Sequence, residues 1–201
     1  YAVIITGLGG DADYGKMIDG WGKDLYSALE KSGLPKDHLY WLAATKQDGV
    51  YAVSQADQIR RVIDMLAAKM TPQDDFQLYL IGHGSYDDFD YRFNIPGPDL
   101  TAAQFAEILL RVPCERQAVI NMTSASGGAL ALWRKKGRAV ITSTQAGQER
   151  NFSVFARYFV AALQEPAADA DKNDSISALE AFRYTTREVA RYYETQKRIA
   201  T

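Results

Sequence analysis

The sequence predicts an α/β domain with a mostly parallel central sheet and helices on both faces. Three observations predict it. Short apolar runs alternate with segments whose apolar residues recur every three or four positions, the rhythm of β-α-β units. The apolar runs are continuous rather than alternating, as strands are when both faces of a sheet are covered. Finally, 201 residues at 47% hydrophobic composition suit one domain with a substantial core. That single domain is taken as 1–201, with a core over 1–165 and an acidic loop and helix over 166–201.

The elements follow in order. Tyr1–Thr6 is the first strand and ends in Gly7-Leu8-Gly9-Gly10. The next segment is helical, with Met17, Trp21, Leu25, Ala28 and Leu29 on one face. It stops near Gly33 and Pro35. His38–Leu42 reads as a second strand, and Ile59, Val62, Ile63 and Leu66 mark a second helix. Phe76–Ile81 is a third strand, ending at Gly82-His83-Gly84. Thr101 and Gln104 have the spacing of a capping box and open a third helix. Gln117–Met122 is a fourth strand, followed by Ser124-Ala125-Ser126-Gly127-Gly128 and a helix through Trp133. Arg138–Ser143 is a fifth strand. Two helices follow, around Phe152–Leu163 and Ser177–Lys197, the latter with Leu179, Phe182, Thr186, Val189 and Tyr193 at helical spacing. The stretches 43–53 and 84–100 read as the longest irregular loops, and long loops in compact domains often carry function.

Bulk properties exclude several classes. A formal net charge of −2 and a pI of about 5.7 argue against nucleic acid or an anionic membrane as partner. No apolar run approaches the roughly 20 residues that span a bilayer. Cys114 is the one cysteine, so no internal disulfide is possible. That usage fits a cytoplasmic setting and a periplasmic or secreted one equally. The chain opens directly on a strand, as a shortened chain would, which leaves a leader open.

Several residues stand where chemistry is done. Gly7-Leu8-Gly9-Gly10 invites a dinucleotide reading, but position 12 is Ala where the fingerprint has Gly. No acidic residue ends the second strand. A glycine-rich turn is the better reading, with Asp11 and Asp13 placed to line a pocket. His38 precedes a strand and reads as a surface residue. His83 ends a strand between two glycines, which leave room for a ligand. Backbone N–H groups at the turn after the fourth strand favour developing negative charge. A serine-hydrolase elbow at Ser126 needs a later histidine, and none follows residue 83. A dyad with the histidine first is the remaining order.

That order resembles the caspase–legumain–gingipain superfamily. Leu78-Tyr79-Leu80-Ile81-Gly82-His83-Gly84-Ser85 is similar to the His-Gly-Ser motif of the legumain family. Val119-Ile120-Asn121-Met122-Thr123-Ser124-Ala125-Ser126-Gly127 is similar to its strand ending in Ala-Cys-x-Ser-Gly. The first strand, the glycine-rich turn and Thr142-Ser143-Thr144 up to Glu149 match in order, so the resemblance spans about residues 1–160. It implies a three-layer caspase-like sandwich. It further implies roles for His83 in proton transfer, for Ser124 at the nucleophile position and for Gly84 N–H in holding an oxyanion. Asp11, Ser143, Thr144 and Glu149 would line the substrate pocket.

The chain departs from the family at the nucleophile. Serine stands at 124 where the family has cysteine, and a shorter caspase-like spacing would use Ala125. Cys114 lies ahead of the fourth strand and cannot serve. A serine hydroxyl is a far weaker nucleophile than a thiol unless a base holds it close. The expectation is a degenerate peptidase that binds a peptide or protein partner. The alternatives are an active endopeptidase with a Ser124/His83 dyad and a Cys-to-Ser variant of a legumain-type cysteine peptidase.

Two further features remain. Asp169-Ala170-Asp171-Lys172-Asn173-Asp174-Ser175-Ile176-Ser177-Ala178-Leu179-Glu180 fits a calcium loop, with Asp169, Asp171, Asn173, Ser175 and Glu180 as oxygen ligands. Asp174 stands where glycine is expected. The other reading is a capping box from Ser177 and Glu180 with a solvated acidic turn. No other cofactor is implied. The loop after His83 mixes Tyr86, Phe89, Tyr91 and Phe93 with Asp87, Asp88, Asp90 and Arg92. It reads as a substrate-facing flap or as a loop docking its rings on the core. Glu149 and Arg150 would set a charged pocket.

Overall fold

Six strands, every neighbouring pair parallel, form the centre of the molecule. The computed structural model describes residues 1–148 and 154–196. The strands are β1 (Ala2–Thr6), β2 (Leu39–Ala43), β3 (Ala52–Val53), β4 (Asp75–Gly82), β8 (Arg116–Thr123) and β9 (Arg138–Thr142). Their order is β3-β2-β1-β4-β8-β9. β1 and β2 are buried along their whole length, as continuous apolar runs require.

Helices cover both faces, giving three layers. On one side α2 (Ala56–Ala67) and α3 (Ala102–Leu110) bury Ile59, Val62, Ile63, Leu66, Phe105 and Ile108 against Val3, Ile5, Leu78, Leu80 and Val119. On the other, α1 (Ala12–Lys31), α5 (Phe155–Ala162) and α6 (Ala178–Thr195) pack on Ile4, Trp41, Ile81, Ile120 and Met122. The two sets alternate along each strand because successive side chains point to opposite faces. Both expected capping boxes are present, Thr101 with Gln104 on α3 and Ser177 with Glu180 on α6.

Several expectations need correction. The 84–100 stretch is not irregular. It holds β5 (Gly84–Tyr86), β6 (Tyr91–Phe93) and β7 (Leu100–Thr101), a small antiparallel sheet. Tyr91, Phe93 and Leu100 point into the core, so those rings dock inward, while Phe89 at the hairpin tip is 94% exposed. The 43–53 stretch carries β3. His38 ends a 3-10 turn before β2 and stacks on Tyr1, with ring centroids 4.0 Å apart. On α1, Met17 is exposed and Ile18 takes the buried place. The helix after Ser124 is a 3-10 turn, Ser126–Ala129, followed by a single turn, α4 (Leu130–Trp133). Phe152 and Lys197, the expected ends of two helices, lie outside the described residues.

Candidate functional site at the switch point

β1 turns outward to β2 on one side, and the chain then crosses to β4, β8 and β9 on the other. The switch lies between β1 and β4, and ligands of open parallel sheets bind beyond the carboxyl ends at such a point. The ends found there are Gly7–Gly10 after β1 and His83 after β4. The candidate residues are therefore gathered by topology. His83 Nε2 donates to the Gly9 carbonyl at 2.8 Å, and the Tyr14 and His83 rings meet in a T-shaped pair with centroids 5.8 Å apart. A carbonyl can only accept, so Nε2 is the donor in that bond. Asp11 is the N-cap of α1, accepting from the N–H groups of Asp13 and Tyr14, both at 2.9 Å.

Ser124 comes to the same place by register. Gly82 pairs with Thr123, so Gly84 and Ser124 leave their strands side by side. The antiparallel β5–β6 ladder pairs His83 with Asn94, leaving Gly84 N–H and C=O directed away from β6. They meet Ser124. Gly84 N–H donates to Ser124 Oγ at 3.1 Å, and Ser124 Oγ donates to the Gly84 carbonyl at 2.9 Å. Ser124 is 1% exposed. A β-carbon at Gly84 would collide with the Ser124 carbonyl and stand 2.6 Å from the Tyr91 ring. The glycine is therefore required by close approach alone.

The turn after Ser124 is tightly held. Ala125 is buried at φ 56°, in the left-handed region. Ser126 Oγ accepts from Ser143 N–H at 3.0 Å and Thr144 N–H at 3.1 Å. Thr144 Oγ1 accepts from Gly127 N–H at 2.9 Å, and Ser143 Oγ donates to the Thr123 carbonyl at 2.6 Å. The side chains of Ser143 and Thr144 thus bind their own loop to the Ser124 turn. Glu149 and Arg150 lie outside the described residues.

Sequence reasoning missed the support beneath. Tyr91 OH lies 2.7 Å from Thr123 Oγ1, which in turn reaches Asn121 Oδ1 at 2.8 Å and the Ser124 carbonyl at 3.0 Å. All these side chains are buried, and burial pushes the Tyr91 phenol up. The available signal was two polar residues, Asn121 and Thr123, at the end of an otherwise apolar strand.

The acidic loop is ordered by its own carboxylates. Asp169, Asp171 and Glu180 each place an oxygen within 4.8 Å of the others. Asp174 adopts φ 62°, the conformation the loop's sixth position requires. Glu180 accepts from Ala170 N–H at 2.9 Å and Ser177 N–H at 2.9 Å, and from Ser177 Oγ at 2.7 Å. These bonds, led by the Ser177 N–H, hold its carboxyl down to about 2. Asn173 Oδ1 accepts from Ser175 N–H. The donor set suits a hard cation, and the capping box is present at the same time.

No family model and no curated protein matches this chain. The fold is α/β with a parallel six-stranded sheet between helices, and the candidate site brings a histidine and a serine to adjacent strand ends. No helix among the described residues is long and apolar enough to cross a membrane.

Proposed function

We propose that this chain is a caspase-like, legumain-type peptidase fold that binds a peptide or protein segment at the strand ends without turning it over. The observation that carries this reading is the Ser124–Gly84 pair. A nucleophilic serine must give its one proton to a base. Ser124 gives it to the Gly84 carbonyl, and its oxygen occupies the Gly84 N–H that the family uses for an oxyanion. Nucleophile and oxyanion donor thus satisfy each other. The fold, the His-Gly turn and the position of Ser124 support the resemblance, and the mutual bonding supports loss of turnover. The converging carboxylates of Asp169, Asp171 and Glu180 support calcium as a ligand of the C-terminal loop.

The test is hydrolysis and binding of a pooled fluorogenic peptide library by this chain, Ser124→Cys and Ser124→Ala. Retained binding without turnover by this chain is the expected result. Turnover in Ser124→Cys alone would show a cleft still able to use a thiolate. Turnover by this chain that vanishes in Ser124→Ala would establish a serine peptidase and overturn the proposal.

A further inference from the structure

β3 pairs with Leu42 and Ala43 alone, so the first half of β2 has no outer strand beside it. In a parallel ladder alternate residues turn their main-chain groups to the same side. Trp41 C=O accepts from Tyr51 N–H at 2.8 Å, and Ala43 C=O accepts from Ser54 N–H at 2.8 Å. Leu39, Trp41 and Ala43 therefore face away from β1. Leu39 N–H donates to the Lys36 carbonyl. The Leu39 carbonyl and the Trp41 N–H remain, and no described residue takes either. Leu39 is 4% exposed and Trp41 3%. Main-chain groups on residues this buried are nearly always paired.

A cavity of about 440 Å³ touches Leu39, Tyr40 and Trp41. Leu39 and Trp41 point to the α1 face of the sheet and Tyr40 to the other, so a cavity that meets all three lies on the strand edge. It is short along that edge. Lys36 and Asp37 of the turn before β2 close one end, and Tyr51, bonded to Trp41 C=O, closes the other. There is room for one flat molecule and none for a strand. Tyr26 of α1 and Tyr51, which is 52% exposed, supply aromatic walls. The charged lining residues are one of each sign, and Lys36 is already matched by Glu30 at 2.8 Å. The cavity thus offers a phosphate no unmatched cation. Its size, its rings and its two placed main-chain groups are those of a small-molecule site.

We propose that this cavity binds a neutral planar nitrogen heterocycle with an amino donor beside a ring-nitrogen acceptor, the edge that an aminopurine base carries. The amino group donates to Leu39 C=O, and the ring nitrogen accepts from Trp41 N–H. One residue of a neighbouring parallel strand would engage this same pair of groups, so a single donor–acceptor edge satisfies both. The ring system packs on Tyr26 and Tyr51, where aromatic contact favours a flat π-system. In the sheet order β2 lies on one side of β1, with β4 and β8 on the other. The site is therefore separate from the His83–Ser124 cleft and stands whether or not that cleft binds peptide.

The experiment uses the whole chain with adenosine as the probe, and amide NMR shifts are read residue by residue. Adenosine at about 1 mM should fill half the sites or more and move the Trp41 amide resonance, leaving those of Gly84 and Ser124 in place. Purine riboside lacks the amino group, and 6-dimethylaminopurine riboside has it blocked. Losing that hydrogen bond should weaken each by about tenfold. Tyr51→Leu removes an exposed ring and should cost about tenfold as well. Tyr51→Phe keeps the ring and should bind as the parent does, so a loss in Tyr51→Leu alone reports stacking and not misfolding. An unmoved Trp41 resonance, equal binding of the three nucleosides, or parent-like affinity in Tyr51→Leu would overturn the proposal. So would shifts that fall on Gly84 and Ser124 instead, which would assign the probe to the cleft.

Discussion

Replacing Ser124 by alanine separates a structural hydroxyl from a catalytic one. A nucleophilic serine is exposed and weakly held, so its removal changes stability little. Ser124 is buried and bonded twice to one residue, accepting from Gly84 N–H at 3.1 Å and donating to Gly84 C=O at 2.9 Å. Gly84 is itself buried, and its ladder turns both groups away from β6. Alanine leaves a donor and an acceptor without partners in a site where water does not reach. Each unsatisfied group costs about 1–3 kcal/mol, so the pair costs about 2–4 kcal/mol after local relaxation. For a domain of this size that is a fall in Tm of about 4–16 °C. Thermal unfolding followed by circular dichroism measures it. Ser124→Cys should fall between the two, because a thiol donates and accepts weakly. A Ser124→Ala protein within about 0.5 kcal/mol of the parent would refute the reasoning and return Ser124 to the role of a free nucleophile.

The acidic loop supplies two more predictions. The Glu180 carboxyl is held at about 2 against an unperturbed 4.5, so its contribution is whole above about pH 4.5 and is lost as pH falls toward 2. Melts in chelator from neutral pH to pH 2 should lose stability in that window, and Glu180→Gln should flatten it there; equal slopes in the two proteins would sink the assignment. Calcium should raise Tm in a dose-dependent, chelator-reversible way, following its binding to the folded state alone. Asp169→Asn combined with Asp171→Asn should abolish the shift, and a parent Tm indifferent to millimolar calcium would leave Glu180 as a helix cap only.

The fold was legible because its strands are strongly marked. β1, β4 and β8 are apolar runs buried on both faces, and helix periodicity between them is regular. The 84–100 sheet was not legible for a physical reason. Its strands are two or three residues long, and each offers only one or two inward side chains, among them Tyr91, Phe93 and Leu100, in a stretch crowded with aspartates. Met17 and Ile18 show the same limit, since neighbouring apolar residues on one helix differ by about 100° and periodicity alone does not choose between them. At the site, the order of His83 and Ser124 was visible in the sequence, and their adjacency follows from the β4–β8 register. The bond between Ser124 and both main-chain groups of Gly84 was not visible. It depends on the direction in which the β5–β6 ladder turns one glycine, a property of a sheet that itself was read as a loop.

The main-chain groups at the carboxyl ends of β4 and β8 and those along β9 are in opposite states. At the carboxyl ends of β4 and β8, Gly84, Ser124, Ser126, Ser143 and Thr144 satisfy one another, and Tyr91, Thr123 and Asn121 support them from below. Even there one buried donor, Asn121 Nδ2, has no partner among the described residues. Such a group costs about 1–3 kcal/mol, a cost borne beneath the turn that fixes Ser124 against Gly84. A ligand entering this region must displace bonds already made before it gains any. At β9 the reverse holds. No described residue takes the outward main-chain groups of Val140 and Thr142.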